Sequence, residues 1–101
     1  MKENIVEIED ALDKVISLQG VTYNPNDLAA EFGYDKSKKI VGLLADEVEA
    51  VLPEAVKIAP FDADEDGNSK SGKNFKTVQY EKLVPLIIES IKELKEKIDK
   101  K

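Results

Sequence analysis

The C-terminal run from Tyr80 to Lys101 constrains the fold most, because its apolar residues repeat with the spacing of a heptad. These residues fall at steps of three and four, which are the a and d positions: Val84, Ile87, Ile91, Leu94 and Ile98. The spacing predicts a helix over 80–99. Since Pro85 is tolerated only in a first turn, the regular helix is expected to begin at about Lys82 to Val84. Such a helix needs a packing partner, because an isolated helix is marginal in water.

The residue types at these positions indicate what the partner is. β-branched side chains occupy all three a positions and the d position Ile87, a pattern that favours three or four strands over two. Leu83 at g and Ile88 at e widen the apolar face in the first heptad. Two interpretations remain open at this point: a coiled coil with copies of the same chain, or an amphipathic helix docked on a monomeric core.

Composition excludes several classes of chemistry. With 101 residues the chain has room for one domain with a small core. Cysteine, histidine and arginine are absent, so thiolate chemistry, the commonest metal ligand and the usual general base are missing. The net charge of −6, with lysine as the only basic residue, argues against nucleic-acid binding. No apolar run approaches a membrane span, and no signal peptide is visible.

The remainder of the chain alternates helix-like and strand-like stretches, which predicts an α+β fold with short antiparallel strands. Two short helices are expected at about 8–18 and 45–52, with a single helical turn at 28–32. Four strands are expected at 21–23, 39–44, 54–59 and 75–80. Gly42, inside the second strand, suggests a bulge or a close backbone approach. Residues 60–74 are predicted to form an exposed loop or a long hairpin tip.

The candidate chemistry is sparse. Asp62, Asp64 and Asp66 precede Gly67 with the spacing of a calcium loop, but Lys70 and Lys73 stand where further ligands are needed. A solvated acidic loop is therefore the preferred interpretation, and calcium binding is the alternative. Without histidine, acyl transfer would need a Ser–Lys pair, and none of the five serines has a convincing local setting. Glu47 suits a helix start better than catalysis.

Seven short motifs occur in an order that resembles a known family. They are KENI (2–5), DALDKV (10–15), LQGVTY (18–23), VGLLADEV (41–48), LPEAV (52–56), TVQYEKLVP (77–85) and IKEL (91–94). Together they resemble the C-terminal intramolecular chaperone domain, also called the peptidase S74 domain, of phage tail spikes and tail fibres. The resemblance covers the chain except the loops at 24–38 and 60–74. One departure is Asp46, where the family often has glutamine.

The resemblance implies a homotrimer. Residues 1–101 would be a single chaperone domain with 80–99 as its trimerisation helix, and the upstream fibre or spike would be the folding client. The family implies no cofactor, no nucleic acid and no membrane partner. It places the protein in the host cytoplasm during virion assembly and on the tail fibre before release.

The resemblance also implies self-cleavage before the serine of a Ser-Asp-x-x-x-Lys motif. Lys2 lies where the motif's lysine would lie and would be the general base. The serine would fall five positions earlier, upstream of Met1, so this chain is expected not to cleave itself, and its status as an enzyme stays open. Two rivals remain: a structural trimerisation module retained on the fibre, and a calcium-binding domain.

Overall fold

The computed structural model describes residues 1–100; Lys101, the last residue of the predicted C-terminal run, lies outside this range. Within it the predicted α+β class is confirmed. The helices are α1 (Ala11–Ile16), α2 (Asp27–Ala30), α3 (Ala45–Val51) and α4 (Val84–Asp99). The strands are β1 (Val21–Tyr23), β2 (Ile40–Gly42), β3 (Val56–Ile58) and β4 (Lys76–Val78). None of the helices in residues 1–100 is long and apolar enough to cross a membrane.

The strands form two separate antiparallel pairs. β1 pairs with β2, with Val21 opposite Gly42, and β3 pairs with β4, with Val56 opposite Val78. All four strands lie where the sequence predicts them, but each spans only three residues. Prolines explain part of the shortening. The 3₁₀ turn at Pro53–Ala55 takes the first two residues of the predicted third strand, and a second turn at Pro60–Asp62 begins the loop that follows it.

The core lies where α1, α3 and α4 meet the short turns. Five residues are buried at its centre: Ala11, Val48, Ala55, Leu83 and Leu86. Ala11 is fully buried against the C-terminal helix, and its small side chain allows α1 to approach α4 closely. The core therefore joins residues near both ends of the chain.

The first helix is shorter than predicted. It begins at Ala11 and not at Ile8, because Asp10 adopts a left-handed conformation with φ of 54°. The sequence predicts Glu9 and Asp10 as first-turn acids of a helix from Ile8, but both precede the helix, and Asp10 makes no side-chain cap. The helix ends at Ile16, where the Ser17 hydroxyl donates back to the Lys14 carbonyl at 2.6 Å.

The C-terminal helix begins as predicted. A 3₁₀ turn spans Tyr80–Leu83, and the α-helix continues from Val84 with Pro85 in its first turn. The face that packs on the domain carries Leu86 and Ser90, which are buried. The heptad residues are 46–60% exposed, so α4 docks on the domain through a different face from its apolar stripe.

The backbone at Gly42 is closely approached by another part of the chain. This is one of the two interpretations that the sequence offers for this glycine, the other being a bulge. The backbone N–H of Leu43 donates to the Tyr80 hydroxyl at 3.0 Å, which ties β2 to the turn before α4. A Cβ on residue 42 would lie 2.5 Å from that hydroxyl oxygen. Glycine at position 42 therefore makes room for the tyrosine.

Candidate functional site

The outward face of α4 is the most conspicuous surface of the protein. We call it the α4 seam: Val84, Ile87, Ile91, Leu94 and Ile98. All five side chains are exposed, from 46% for Ile87 to 60% for Ile91 and Ile98. Each helical residue turns about 100°, so Ile91, five residues after Leu86, points about 140° away from it. The seam thus faces away from the core, and an apolar surface of this extent is typical of an interaction site.

Glu93 joins α4 to the beginning of α1. The backbone N–H groups of Ala11 and Leu12 donate to its two carboxylate oxygens, at 2.8 and 3.0 Å. These N–H groups lack intrahelical partners, so Glu93 caps the helix in place of Asp10. The hydrogen bonds from Leu12 and then Ala11 lower the pKa of Glu93, and the positive end of α1 also favours the charged form.

The segment before α1 lies against α4 beside this cap. Residues 6–10 and four residues of α4 enclose an open cleft of about 440 Å³. Its lining is mainly acidic, with Lys92 the single basic residue in it. Lys92 pairs with Glu89 at 3.1 Å, and that hydrogen bond raises the lysine pKa. Residues 6–10 therefore lie beside the helix that carries the seam, while Ile5 and Val6 remain about 80% exposed.

The predicted catalytic residue and the serines do not come together. Lys2 is exposed at the start of the chain. Ser90 is buried and donates to the Ile87 carbonyl at 2.7 Å, as expected for a serine inside a helix. Ser69 and Ser71 both lie in the loop after β3, where their polar groups bond to Asp62. In the part of the chain that the structure describes, these serines have structural roles.

Asp62 organises the loop that follows it. The carboxylate is 2% exposed and accepts from the Ser69 hydroxyl at 2.6 Å and from the N–H groups of Ser71 and Phe75 at 2.9 and 3.3 Å. The Ser69 hydroxyl lowers the pKa of Asp62 to about 2, helped by the two N–H groups and opposed by burial. The expected exposed loop is therefore exposed only in part, since it closes around this acid.

The same geometry leaves the three aspartates unlike a calcium site. Both oxygens of Asp62 are committed to protein donors, and Asp64 Oδ1 accepts from the N–H groups of Asp66 and Asn68 at 2.9 Å each. Lys70 also lies in this loop, its N–H donating to the Asp62 carbonyl at 2.6 Å. Among residues 1–100, no group of three or more acidic side chains is placed to hold a metal ion.

Glu47 joins α3 to the segment between α1 and β1. It lies in the first turn of α3, as predicted, and its carboxylate accepts from the backbone and side-chain amides of Gln19, at 3.2 and 2.9 Å. Its neighbour Asp46 is exposed and lies 3.5 Å from Lys76. The hydrogen bond from Lys76 to Glu49, at 2.7 Å, raises the lysine pKa. These contacts fix α3 between the end of α1 and β4.

The two loops outside the family motifs pack on each other through aromatic rings. Phe32 and Tyr34, from the stretch after α2, meet Phe61 with ring centroids 4.5 and 6.0 Å apart. Phe75 closes the cluster, 5.7 Å from both Phe32 and Phe61. The parts of the chain that depart from the family motifs therefore meet in an aromatic cluster at the surface, with Phe32 and Tyr34 exposed and Phe61 and Phe75 half-buried.

Sequence reasoning missed Glu93 and Asp62 as organising residues. A signal for Glu93 was available, because its position on the helical wheel is that of Leu86 and Ser90, on the inward face. An acid there needs a donor, and the uncapped start of α1 supplies two. For Asp62 the only signal was the neighbouring serines, which do not distinguish a buried acid from a solvated one.

The sequence of this domain matches a family of chaperones. The model of the peptidase S74 family, described as the chaperone of endosialidase, matches residues 1–57. The chain belongs to this family, as the order of its motifs predicts.

The curated relatives are long tail fibre proteins of phages. The chain is 35% identical over 98 residues to the long tail fibre protein Gp37 of Enterobacteria phage K3, covering 97% of this chain and 7% of the relative. It is 35% identical over the same length to Gp37 of Enterobacteria phage T2, of which it covers 6%. A third match, to Gp37 of Escherichia phage AR1, is 37% identical over 60 residues, 59% of this chain and 5% of the relative. The chain thus spans well under a tenth of the length of these relatives.

Proposed function

We propose that this protein is the C-terminal intramolecular chaperone of a phage tail fibre, and that it acts as a homotrimer through the α4 seam. The observation that carries the proposal is the orientation of α4. Its heptad residues face away from the core, while a different face packs on the domain. A heptad of β-branched residues on a free helical face suits a three-stranded coiled coil.

The dimensions of the single chain support an assembly. Its radius of gyration is 16.7 Å, against about 13 Å for a compact domain of 100 residues. The principal extents of 52 × 36 × 19 Å describe a flat, elongated body. A body of this shape buries little of its apolar surface alone, and association along α4 would bury more.

The seam can supply a useful association energy. Full burial of an aliphatic side chain stabilises by about 1.5–3 kcal/mol. Since the five seam residues are about half exposed, each has roughly 1 kcal/mol left to gain, or roughly 5 kcal/mol per copy. Three copies together would overcome the lower estimates for the entropy lost on association, which start at about 4 kcal/mol.

Sedimentation equilibrium of Ile91→Glu tests the trimer. The unsubstituted chain, whose monomer mass is 11.2 kDa, is expected to sediment as a trimer. The Ile91→Glu variant is expected to sediment as a monomer. Val41→Glu is the matched control, because Val41 is a 79% exposed apolar residue that lies on β2 and not on α4. A monomeric parent chain at millimolar concentration, or equal dissociation in both variants, would contradict the proposal.

The chemical part of the proposal concerns Lys2. In a chain that continues upstream to a serine five residues before it, Lys2 would remove the proton from the serine hydroxyl, whose oxygen then attacks the preceding peptide carbonyl. The peptide C–N bond would break as Lys2 returns the proton to the serine nitrogen, and water would hydrolyse the resulting ester and release the fibre. A lysine performs this task only when it is neutral, and trimer assembly would favour neutrality by desolvating it. Cleavage would then report that the three chains have assembled.

A fusion to an upstream fibre segment carrying Ser-Asp tests this role. Lys2→Arg, which keeps the charge but cannot act as a neutral base, is expected to abolish release of the fibre, and Glu3→Gln is expected to preserve it. Release would be followed by gel electrophoresis during refolding. Cleavage at equal rates in monomers and trimers would contradict the proposal that cleavage depends on trimer assembly. A fibre that folds with the domain but is never released would identify a retained trimerisation module instead.

A further inference from the structure

An apolar groove lies beside the α4 seam. It has a volume of about 260 Å³, larger than the ~150 Å³ of an aliphatic cavity that can hold benzene. Leu83 and Leu86 form its buried floor, and Ile87 of the seam forms one edge. The opposite walls come from α1, from the segment that follows it and from the residue after β2: Val15, Leu18 and Leu43. The groove is thus continuous with the seam but lined mainly by the folded domain.

The heptad register says which side chain of a second copy would reach it. Leu83 is the g residue of the first heptad, and in a parallel coiled coil g faces the e residue five positions later on the neighbouring helix. That residue is Ile88, which is 51% exposed. An e position normally carries a charge, as Lys95 does one heptad later, so an isoleucine there indicates an apolar environment.

We propose that each groove receives Ile88 of a neighbouring copy, so that the assembly joins α4 of one chain to the folded body of the next. This inference rests on the proposed trimer and adds a second, off-axis contact to it. The contact is heterologous, since the groove of one copy meets a different surface of the other. With a threefold axis every groove and every Ile88 would be used, which closes the ring at three copies.

The arrangement couples folding to assembly. The walls of the groove exist only when α1 and the residue after β2 have docked on α4, which in turn requires the core around Leu86. A chain with a helical α4 but an unfolded body could form the seam contacts and would lack the groove. Ile88 would therefore stabilise assemblies of folded copies selectively.

Disulfide trapping tests the contact. Because the chain has no cysteine, only the introduced cysteines can form a disulfide. Leu18→Cys/Ile88→Cys and Leu43→Cys/Ile88→Cys, refolded and then oxidised, are expected to give covalent trimers on non-reducing gels. Leu18→Cys/Ile98→Cys is the matched control and is expected to stay uncrosslinked, since Ile98 lies ten residues further along α4. A ladder that stops at dimers would indicate a twofold contact and would overturn the closed ring.

A solution measurement separates this contact from the trimer itself. Ile88→Lys is expected to weaken the trimer about tenfold or more in sedimentation equilibrium, with an unchanged circular dichroism spectrum, because Ile88 is half exposed in the single chain. If the parent chain is trimeric while neither cysteine pair crosslinks to trimers and Ile88→Lys has no effect, the groove contact is refuted and the proposed function stands. If the parent chain is a monomer, the proposed function fails first.

Discussion

The contact between Gly42 and Tyr80 gives the most quantitative prediction. A Cβ added at residue 42 would lie 2.5 Å from the tyrosine hydroxyl oxygen, about 1 Å inside ordinary contact distance. The other neighbours, Tyr23 Cε1 at 3.5 Å and Tyr80 Cζ at 3.7 Å, would be in normal contact. The hydroxyl alone therefore excludes a methyl group at this position.

The expected energies follow from that geometry. Gly42→Ala overpacks the site and displaces the hydroxyl from the Leu43 N–H, which destabilises the folded state by about 1–3 kcal/mol. The substitution also restricts the unfolded chain, which stabilises the protein by about 0.4–1 kcal/mol. The net destabilisation is about 1 kcal/mol, within a range of about 0–2.6 kcal/mol. Tyr80→Phe removes the hydrogen bond and costs about 1 kcal/mol. In the Tyr80→Phe background, Gly42→Ala meets no clash and is expected to stabilise by about 0.4–1 kcal/mol.

Urea unfolding of the four variants at one protomer concentration measures this cycle. A fixed concentration is needed because association would add to the apparent stability. The reasoning predicts a change of sign for Gly42→Ala between the two backgrounds, with a coupling energy of about 2 kcal/mol. Equal cost in both backgrounds would refute it, because the clash would then not involve the hydroxyl.

Three further predictions concern the core, the loop and the helix cap. Leu86→Ala, at a fully buried position, is expected to cost about 2–5 kcal/mol in urea unfolding under monomeric conditions, and Ile91→Ala less than about 1 kcal/mol; similar costs would contradict the assignment of the two faces. Asp62 has its pKa lowered from 3.8 to about 2, so its contribution to stability is present above about pH 4 and is lost as the pH falls through 2. Amide exchange of Ser71 and Phe75 followed against pH should show this loss, and Asp62→Asn should remove the pH dependence. Glu93→Gln is expected to lower the Tm by about 4–8 °C and to speed exchange at Ala11 and Leu12, whereas Glu96→Gln should change neither.

The sequence predicted the elements better than their lengths. All four strands and the start of the C-terminal helix follow from local signals: β-branched runs, turn residues and Pro85 in a first turn. The first helix was predicted too long because Glu9 and Asp10 look like acids of a first turn that begins at Ile8. Its actual start depends on Glu93, which is more than 80 residues away and which no local signal relates to α1.

The site was predictable where it depends on periodicity and not where it depends on tertiary hydrogen bonds. The heptad identified the seam residues, but it could not distinguish a face turned to the core from a face turned outward. The structure makes that distinction through Leu86 and Ser90, which the heptad assigns to other positions. Asp62 was assigned to solvent because its donors, among them the Phe75 N–H thirteen residues later, come together only when the loop folds.

The outward seam and the Glu93 cap suggest why both chain ends meet on one helix. α4 offers its seam to other copies and, on its inward face, holds the start of α1 through two hydrogen bonds. The segment that carries Lys2 is anchored at Ile8, which packs on the core, and continues into α1 beside the helix that would assemble the trimer. Register set among three copies along the seam would thereby be transmitted to the N-terminal segments. A fibre joined to those segments would begin folding with its three chains aligned.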